Sequence, residues 1–339
     1  MKDYGSLGGF LIGFAAEDNG KEKPMSEVGI IGAGTMGHGI AQCFAVKGMT
    51  VRITDADPNM LASVPARITA NLKVFVEAGM MTAEKAHTAP EQLILCDSLL
   101  SAVEGASVII ETISEDLDLK RRLFAQLEEL TSPSTILCTN TSALSITAIS
   151  QDLRHPDRVV GTHFWNPPHV LPCVEVIKSR YTSEEVFEKT VAVMAAIGKE
   201  PIRVLKDVPG FIGNRMQHAL QREAMDIVDQ GIATPEEVDR VVKYGFGLRL
   251  ALMGPLERSD QGGLDITYRV QKYLLPFLCN QTEPSPLLAQ KVAAGDLGVK
   301  SGQGYYPWPP EKTAETLKAR DRQLLELIRL IHQHRNAKT

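Results

Sequence analysis

Residues 161–176 read GTHFWNPPHVLPCVEV, and His163, His169 and Glu175 among them carry groups able to do acid–base chemistry. His163 lies on an apolar stretch, a proline-rich turn follows, and Glu175 sits inside a second apolar stretch. Charged residues are rarely buried without a partner. If the two stretches are strands joined by the PPHVLP turn, Glu175 returns beside His163. A neutral imidazole is the natural base for a hydroxyl proton, and a carboxylate on its far nitrogen fixes the tautomer and stabilises the imidazolium that forms. Such a base suits the oxidation of a secondary alcohol by hydride transfer. A lone histidine is more often a core residue bonded to backbone. That plain reading is all that His38, His169 and His218 have in their favour, and Trp165 and Trp308 read as packing aromatics.

A second stretch supplies the partner chemistry. VGII, GAGTMG and a run with apolar residues at helical spacing (Ile40, Ala41, Phe44, Ala45) follow one another, and TVRITD closes on Asp55. Strand, glycine turn, helix, strand, acid is the dinucleotide-binding pattern, with the acid about 20 residues on. Gly32 allows the tight turn, Gly34 lets a pyrophosphate approach the backbone at Thr35 and Met36, and Gly37 permits close helix–strand packing. Asp55 can accept hydrogen bonds from the ribose and would repel a 2′-phosphate. No Arg follows it, so NAD is favoured over NADP.

These groups need a scaffold that brings them together. DPNMLASVPARITANLKVF is helical, with Asp57 as cap and Pro58 first, and Pro65 kinks or restarts it. GASVIIETISED is a strand ending in an acidic loop, DLKRRLFAQLEELT a helix, and STILCTNTSALSI a strand ending in a polar loop. This alternation predicts a Rossmann-type, doubly wound, mostly parallel α/β sheet followed by a smaller all-helical domain. Ligands of such sheets bind beyond the carboxyl ends of the strands, which places Glu115, Lys120, Asn140 and Ser142 near a cofactor. TSEEVFEKTVAVMAAIG reads as a helix with a Thr182–Glu185 capping box, and KEPIRVLKD as a last strand. The expected domains are an extension over 1–25, the NAD-binding domain over 26–207, a helical domain over 208–310 and a helical tail over 311–339. The Leu324/Leu325/Ile328/Ile331 stripe of the tail reads as a docking or dimer contact.

Composition narrows the class. A net charge of −5 with no basic block disfavours nucleic acid and anionic membranes as partners, and no apolar run approaches a membrane span. Five scattered cysteines without a C-x-x-C read as reduced thiols of a cytoplasmic protein. The eight histidines show no ligand spacing, so no metal is expected. MKDYGSLGGFLIGFAAEDN reads as a flexible extension rather than a signal peptide.

GAGTMGHGIA, the Glu/Lys pair of ISEDLDLK, NTSALSI, HFWNPP, VEVI, DVPGFIGNR and KSGQGYY together resemble the 3-hydroxyacyl-CoA dehydrogenase family, in order, from about residue 26 to 308. The resemblance implies His163 and Glu175 as the catalytic dyad. It implies Ser142 and Asn214 on the substrate oxygen, the nicotinamide amide or the thioester oxygen, Asn166 close to the substrate, Glu115 and Lys120 on the nicotinamide-side ribose of NAD or its surroundings, and a homodimer through the helical domain. Two features point within the family. CoA-using members carry several lysines on the helix after the ribose-binding acid, whereas this helix offers Arg67 and Lys73. GFGLRLALMGPLERSD departs from their G-x-P-M-G-P form. It is more similar to the branch of L-carnitine dehydrogenase and lambda-crystallin, and NPPHVLP with the helical tail resembles a pyridine-carboxylate dehydrogenase. Arg249 or Arg258 is then a candidate anchor for a free carboxylate. A thioester substrate would place the chain in fatty-acid metabolism. A 6-phosphogluconate-type dehydrogenase would need a lysine in the GFIGNR helix, where none precedes Arg222, and a non-catalytic NAD-binding structural protein would not need the His163/Glu175/Ser142/Asn214 set.

Overall fold

The computed structural model describes residues 27–336, so the extension expected over 1–25 lies outside the described residues. Eight strands form one sheet: β1 (Glu27–Ile31), β2 (Thr50–Thr54), β3 (Leu93–Leu95), β4 (Val108–Glu111), β5 (Ile136–Thr139), β6 (Val159–Phe164), β7 (Cys173–Ile177) and β8 (Glu200–Val204). Their spatial order is β3-β2-β1-β4-β5-β6-β7-β8, and all neighbours are parallel except β6 and β7. β4 and β6 are buried at every position, as a sheet covered on both faces requires. One core layer holds Ile30, Phe44, Ile53, Val160 and Phe187, and a second holds Ile109, Phe124, Leu137 and Ile146. The strand order reverses between β1 and β4, and the carboxyl ends of those strands flank the crevice where such sheets take a dinucleotide.

Local sequence explains the helices. Asp57 accepts a hydrogen bond from Asn59 N–H and Pro58 opens the helix Pro58–Ala62. The chain restarts as Val64–Glu77, with Pro65 in its first turn. The cap of Glu184–Ala196 is Ser183, whose hydroxyl accepts from Val186 N–H. The Thr182 expected there instead donates to Val159 O and pairs with Ser179.

Two compact units divide at Ile212/Gly213. The expected boundary, after residue 207, falls five residues earlier. The difference arises because Phe211 is buried in the first unit and Ile212 N–H bonds there. The second unit, Gly213–Ala319, is helical, with Gly213–Asp229, Pro235–Val241, Pro255–Gly262 and Leu264–Leu274 among its helices. From Arg320 onward, the tail helix Pro310–Asn336 groups with the first unit. There Leu325 is buried and Arg322 pairs with Glu77 at 3.7 Å. The Leu324/Leu325/Ile328/Ile331 stripe is its more covered side.

Candidate active site

β6 and β7 set the dyad. Their antiparallel register places His163 directly opposite Glu175, so both side chains leave the sheet on one face. His163 Nδ1 lies 2.8 Å from Glu175 Oε2, with both residues buried. The second carboxylate oxygen, Oε1, accepts the backbone N–H of Ile212 at 2.9 Å. Aromatic rings flank the imidazole: Trp165 with its centroid 5.5 Å away and Phe211 at 5.8 Å. With Nδ1–H donated to the carboxylate, the lone pair sits on Nε2, the atom able to take a proton.

The loop after β5 is tied to β6 next to the histidine. Asn140 Oδ1 accepts the N–H of Phe164, the residue next to His163, at 2.8 Å. Glu115 Oε1 accepts from Thr141 Oγ1 at 2.5 Å, Ser142 N–H at 2.9 Å and Ala143 N–H at 3.0 Å. Burial alone would raise the pKa of Glu115. Hydrogen bonds from Thr141 and Ala143, the charge of Lys120 and the Ser142 N–H outweigh it and hold the carboxyl below its ordinary value.

Beneath that loop is a buried acid that sequence reading missed. Glu111, at the end of β4, accepts from Lys120 Nζ at 2.5 Å, Ile113 N–H at 2.7 Å and Thr139 Oγ1 at 2.7 Å. Burial pushes its pKa up, and Lys120 and these hydrogen bonds counter part of the shift. Lys120 is 1% exposed and also lies 3.5 Å from Glu115 Oε2. Its ammonium faces two carboxylates inside the fold, those of Glu111 and Glu115. Asn140 braces β6 through its oxygen. An acid closing the apolar strand VIIE, with Lys nine residues on, was the available signal for Glu111.

The glycine loop has room where a cofactor needs it. Gly32 has φ +106°, and a Cβ there would meet Thr112. At Gly37 a Cβ would strike Gly32 O at 1.8 Å, whereas at Gly34 nothing lies within 4 Å, which leaves the approach to the helix N-terminus open. Thr35 and Met36 begin that helix, Thr35–Ala45. Asp55 closes the loop by accepting Ala33 N–H at 2.6 Å. Gly34, the helix end and Asp55 thus fit a dinucleotide's pyrophosphate and ribose. Arg67 turns onto this loop: Nη1 donates to Ala33 O at 2.7 Å and Nη2 lies 2.7 Å from His38 Nδ1, whereas Lys73 is exposed.

Asn166 is exposed at the head of the turn. Asn214 and Arg249 belong to the second unit, Asn214 in the helix Gly213–Asp229 and Arg249 exposed on Gly247–Leu250.

A Rossmann-type sheet with an open glycine loop and a histidine–carboxylate pair defines an NAD-dependent oxidoreductase acting on CH–OH groups. The chain belongs to the 3-hydroxyacyl-CoA dehydrogenase family. Residues 27–208 match the family model for the NAD binding domain and residues 210–308 the model for the C-terminal domain. It is 33% identical over 304 residues to the 5-formyl-3-hydroxy-2-methylpyridine 4-carboxylate 5-dehydrogenase of Mesorhizobium japonicum, covering 90% of this chain and 97% of that protein. The crystal structure of a dehydrogenase of that name, described as an NAD+ dependent dismutase, superposes with a TM-score of 0.85 at 32% identity, covering 91% of this chain and 99% of the other. The (S)-3-hydroxybutyryl-CoA dehydrogenase of Ralstonia eutropha superposes with a TM-score of 0.70 at 32% identity, covering 84% and 99%.

Proposed function

We propose that this chain oxidises a hydroxyl-bearing carbon of a small free carboxylate substrate, with His163 as general base. The observation that carries the base assignment is the buried His163–Glu175 pair, whose second carboxylate oxygen is held by Ile212 N–H. His163 Nε2 takes the hydroxyl proton, and Glu175 stabilises the imidazolium. Bound NAD supplies the hydride acceptor, seated by Gly32, Gly34, Thr35, Met36, Gly37 and Asp55. Ser142, with Asn214 by the family pattern, stabilises the developing oxyanion. Asn166 and Arg249 are the proposed substrate contacts.

Two observations support a small substrate. Arg67 is turned onto the glycine loop, so Lys73 alone of the two basic side chains on Val64–Glu77 is left for the phosphates of CoA. The superposition on the pyridine-carboxylate dehydrogenase is also fuller than that on the hydroxybutyryl-CoA enzyme. The family match and 37% identity to the probable 3-hydroxybutyryl-CoA dehydrogenase of Bacillus subtilis support the second reading, a 3-hydroxyacyl-CoA thioester in fatty-acid metabolism. Parallel assays with free acids and thioesters separate the two.

The proposed assembly is a homodimer through the helical unit. That unit leaves Tyr244, Leu248, Leu252, Leu256, Tyr273 and Phe277 exposed, more apolar surface than a lone domain usually carries. The proposed compartment is the cytoplasm, in keeping with five free cysteines. Among the described residues no helix is long and apolar enough to cross a membrane.

A further inference from the structure

The segment Val208–Ile212 reads V-P-G-F-I, and its turn is dictated by sequence: Phe211 N–H donates to Val208 O at 3.0 Å, with Pro209 and Gly210 between them. Gly210 has φ +74°, the left-handed value that the third residue of a type II turn requires. The next residue is unusual. Phe211 has φ +49°, the one non-glycine with positive φ among the described residues. A bulky side chain in that region is strained and persists only where its surroundings over-determine it. Two contacts do so here. The Phe211 ring is 2% exposed and lies 5.8 Å from the His163 ring, and the following N–H, Ile212, bonds Glu175 Oε1 at 2.9 Å. One strained residue thus touches both members of the dyad, the imidazole by its ring and the carboxylate by the backbone direction it sets.

We propose that Phe211 is a positioning residue, its left-handed backbone aiming Ile212 N–H at Glu175 and its ring walling His163, so that the dyad keeps one geometry. The inference rests on the reading of His163 and Glu175 as the general-base pair.

The test uses the full chain with substitutions Phe211→Leu, Phe211→Gly and Phe211→Ala. NAD binding stoichiometry is measured by calorimetry, kcat and KM by steady-state assay, and the His163 Nδ1 proton by NMR, with His163→Ala to assign it. The expected result is one NAD site per chain in every variant and unchanged KM for NAD. The kcat falls roughly 10²-fold in Phe211→Ala, less in Phe211→Gly, where φ +49° is unstrained, and least in Phe211→Leu, which keeps an apolar wall. The Nδ1 proton signal broadens in Phe211→Ala and persists in Phe211→Leu. A Phe211→Ala kcat within twofold of the parent, or a loss explained wholly by fewer NAD sites, overturns the proposal, and so does a Phe211→Gly chain slower than Phe211→Ala. The proton signal needs no substrate: a parent chain that shows it but turns over no candidate fails the functional reading, and the Phe211→Ala spectrum still decides this one.

Discussion

At the scale of single residues, the chemistry depends on which nitrogen of His163 carries the lone pair, and Glu175 decides that by holding Nδ1. His163→Ala should lower kcat by roughly 10²–10⁴-fold while NAD binding is retained, and Glu175→Gln should fall in the same range because the amide no longer selects the tautomer. Steady-state kinetics beside calorimetric NAD binding reads both. His169 makes a different prediction. Burial, with lesser repulsion from His38, Lys199 and Arg320, lowers its pKa from 6.5 to about 3, and its Nδ1 is buried without a hydrogen-bond partner among the described residues. The unfolded chain therefore takes up a proton between those values that the folded chain does not. The stabilisation is fully present above about 6.5 and is lost as pH falls toward about 3. From pH 7 to 5 the parent should lose on the order of 2 kcal/mol more than His169→Gln, measured by urea unfolding at the two pH values. His163 and Glu175 were legible because an acid in an apolar run demands an explanation. Phe211 and Glu111 were not, since a backbone dihedral and a buried ion pair leave only faint traces in residue types.

Elements carry the next level. The carboxyl ends of β4 and β5 are stitched to the helix Leu117–Leu130 by Glu111, Thr139 and Lys120, and Glu115 passes that order to the Ser142 loop. Lys120→Met would leave a fully buried carboxylate without its counter-charge. The expected cost is about 3–5 kcal/mol in urea unfolding, and adding Glu111→Gln should recover part of it. Strand and helix alternation made the sheet legible, since apolar runs bounded by glycine or acid admit few other assignments. The cap at Ser183 was less so: Thr182 and Ser183 are adjacent hydroxyls, and only the bond from Thr182 to Val159 O tells which one the helix uses.

For the whole molecule, a sheet domain followed by an all-helical one was the expectation from the order of predicted elements. The boundary's location at Ile212 rather than residue 207 depends on contacts that sequence does not display. The return of the tail to the first unit at Arg320 was foreshadowed only by its Leu/Ile stripe. The exposed apolar side chains of the helical unit should be covered in solution. Leu252→Glu with Leu256→Glu should shift sedimentation equilibrium from dimer to monomer, and an unchanged mass would remove the dimer from the account.

NAD reduction followed by absorbance distinguishes a free-acid substrate from a thioester. The parent and His163→Ala would be compared on free acids (carnitine, gulonate and a formyl-pyridine carboxylate) and on L-3-hydroxybutyryl-CoA. Turnover of a free acid, lost in the variant, is expected, with kcat/KM for the thioester lower by roughly 10²-fold or more. Thioester turnover exceeding that of every free acid would contradict the free-acid reading and return the chain to acyl-CoA oxidation.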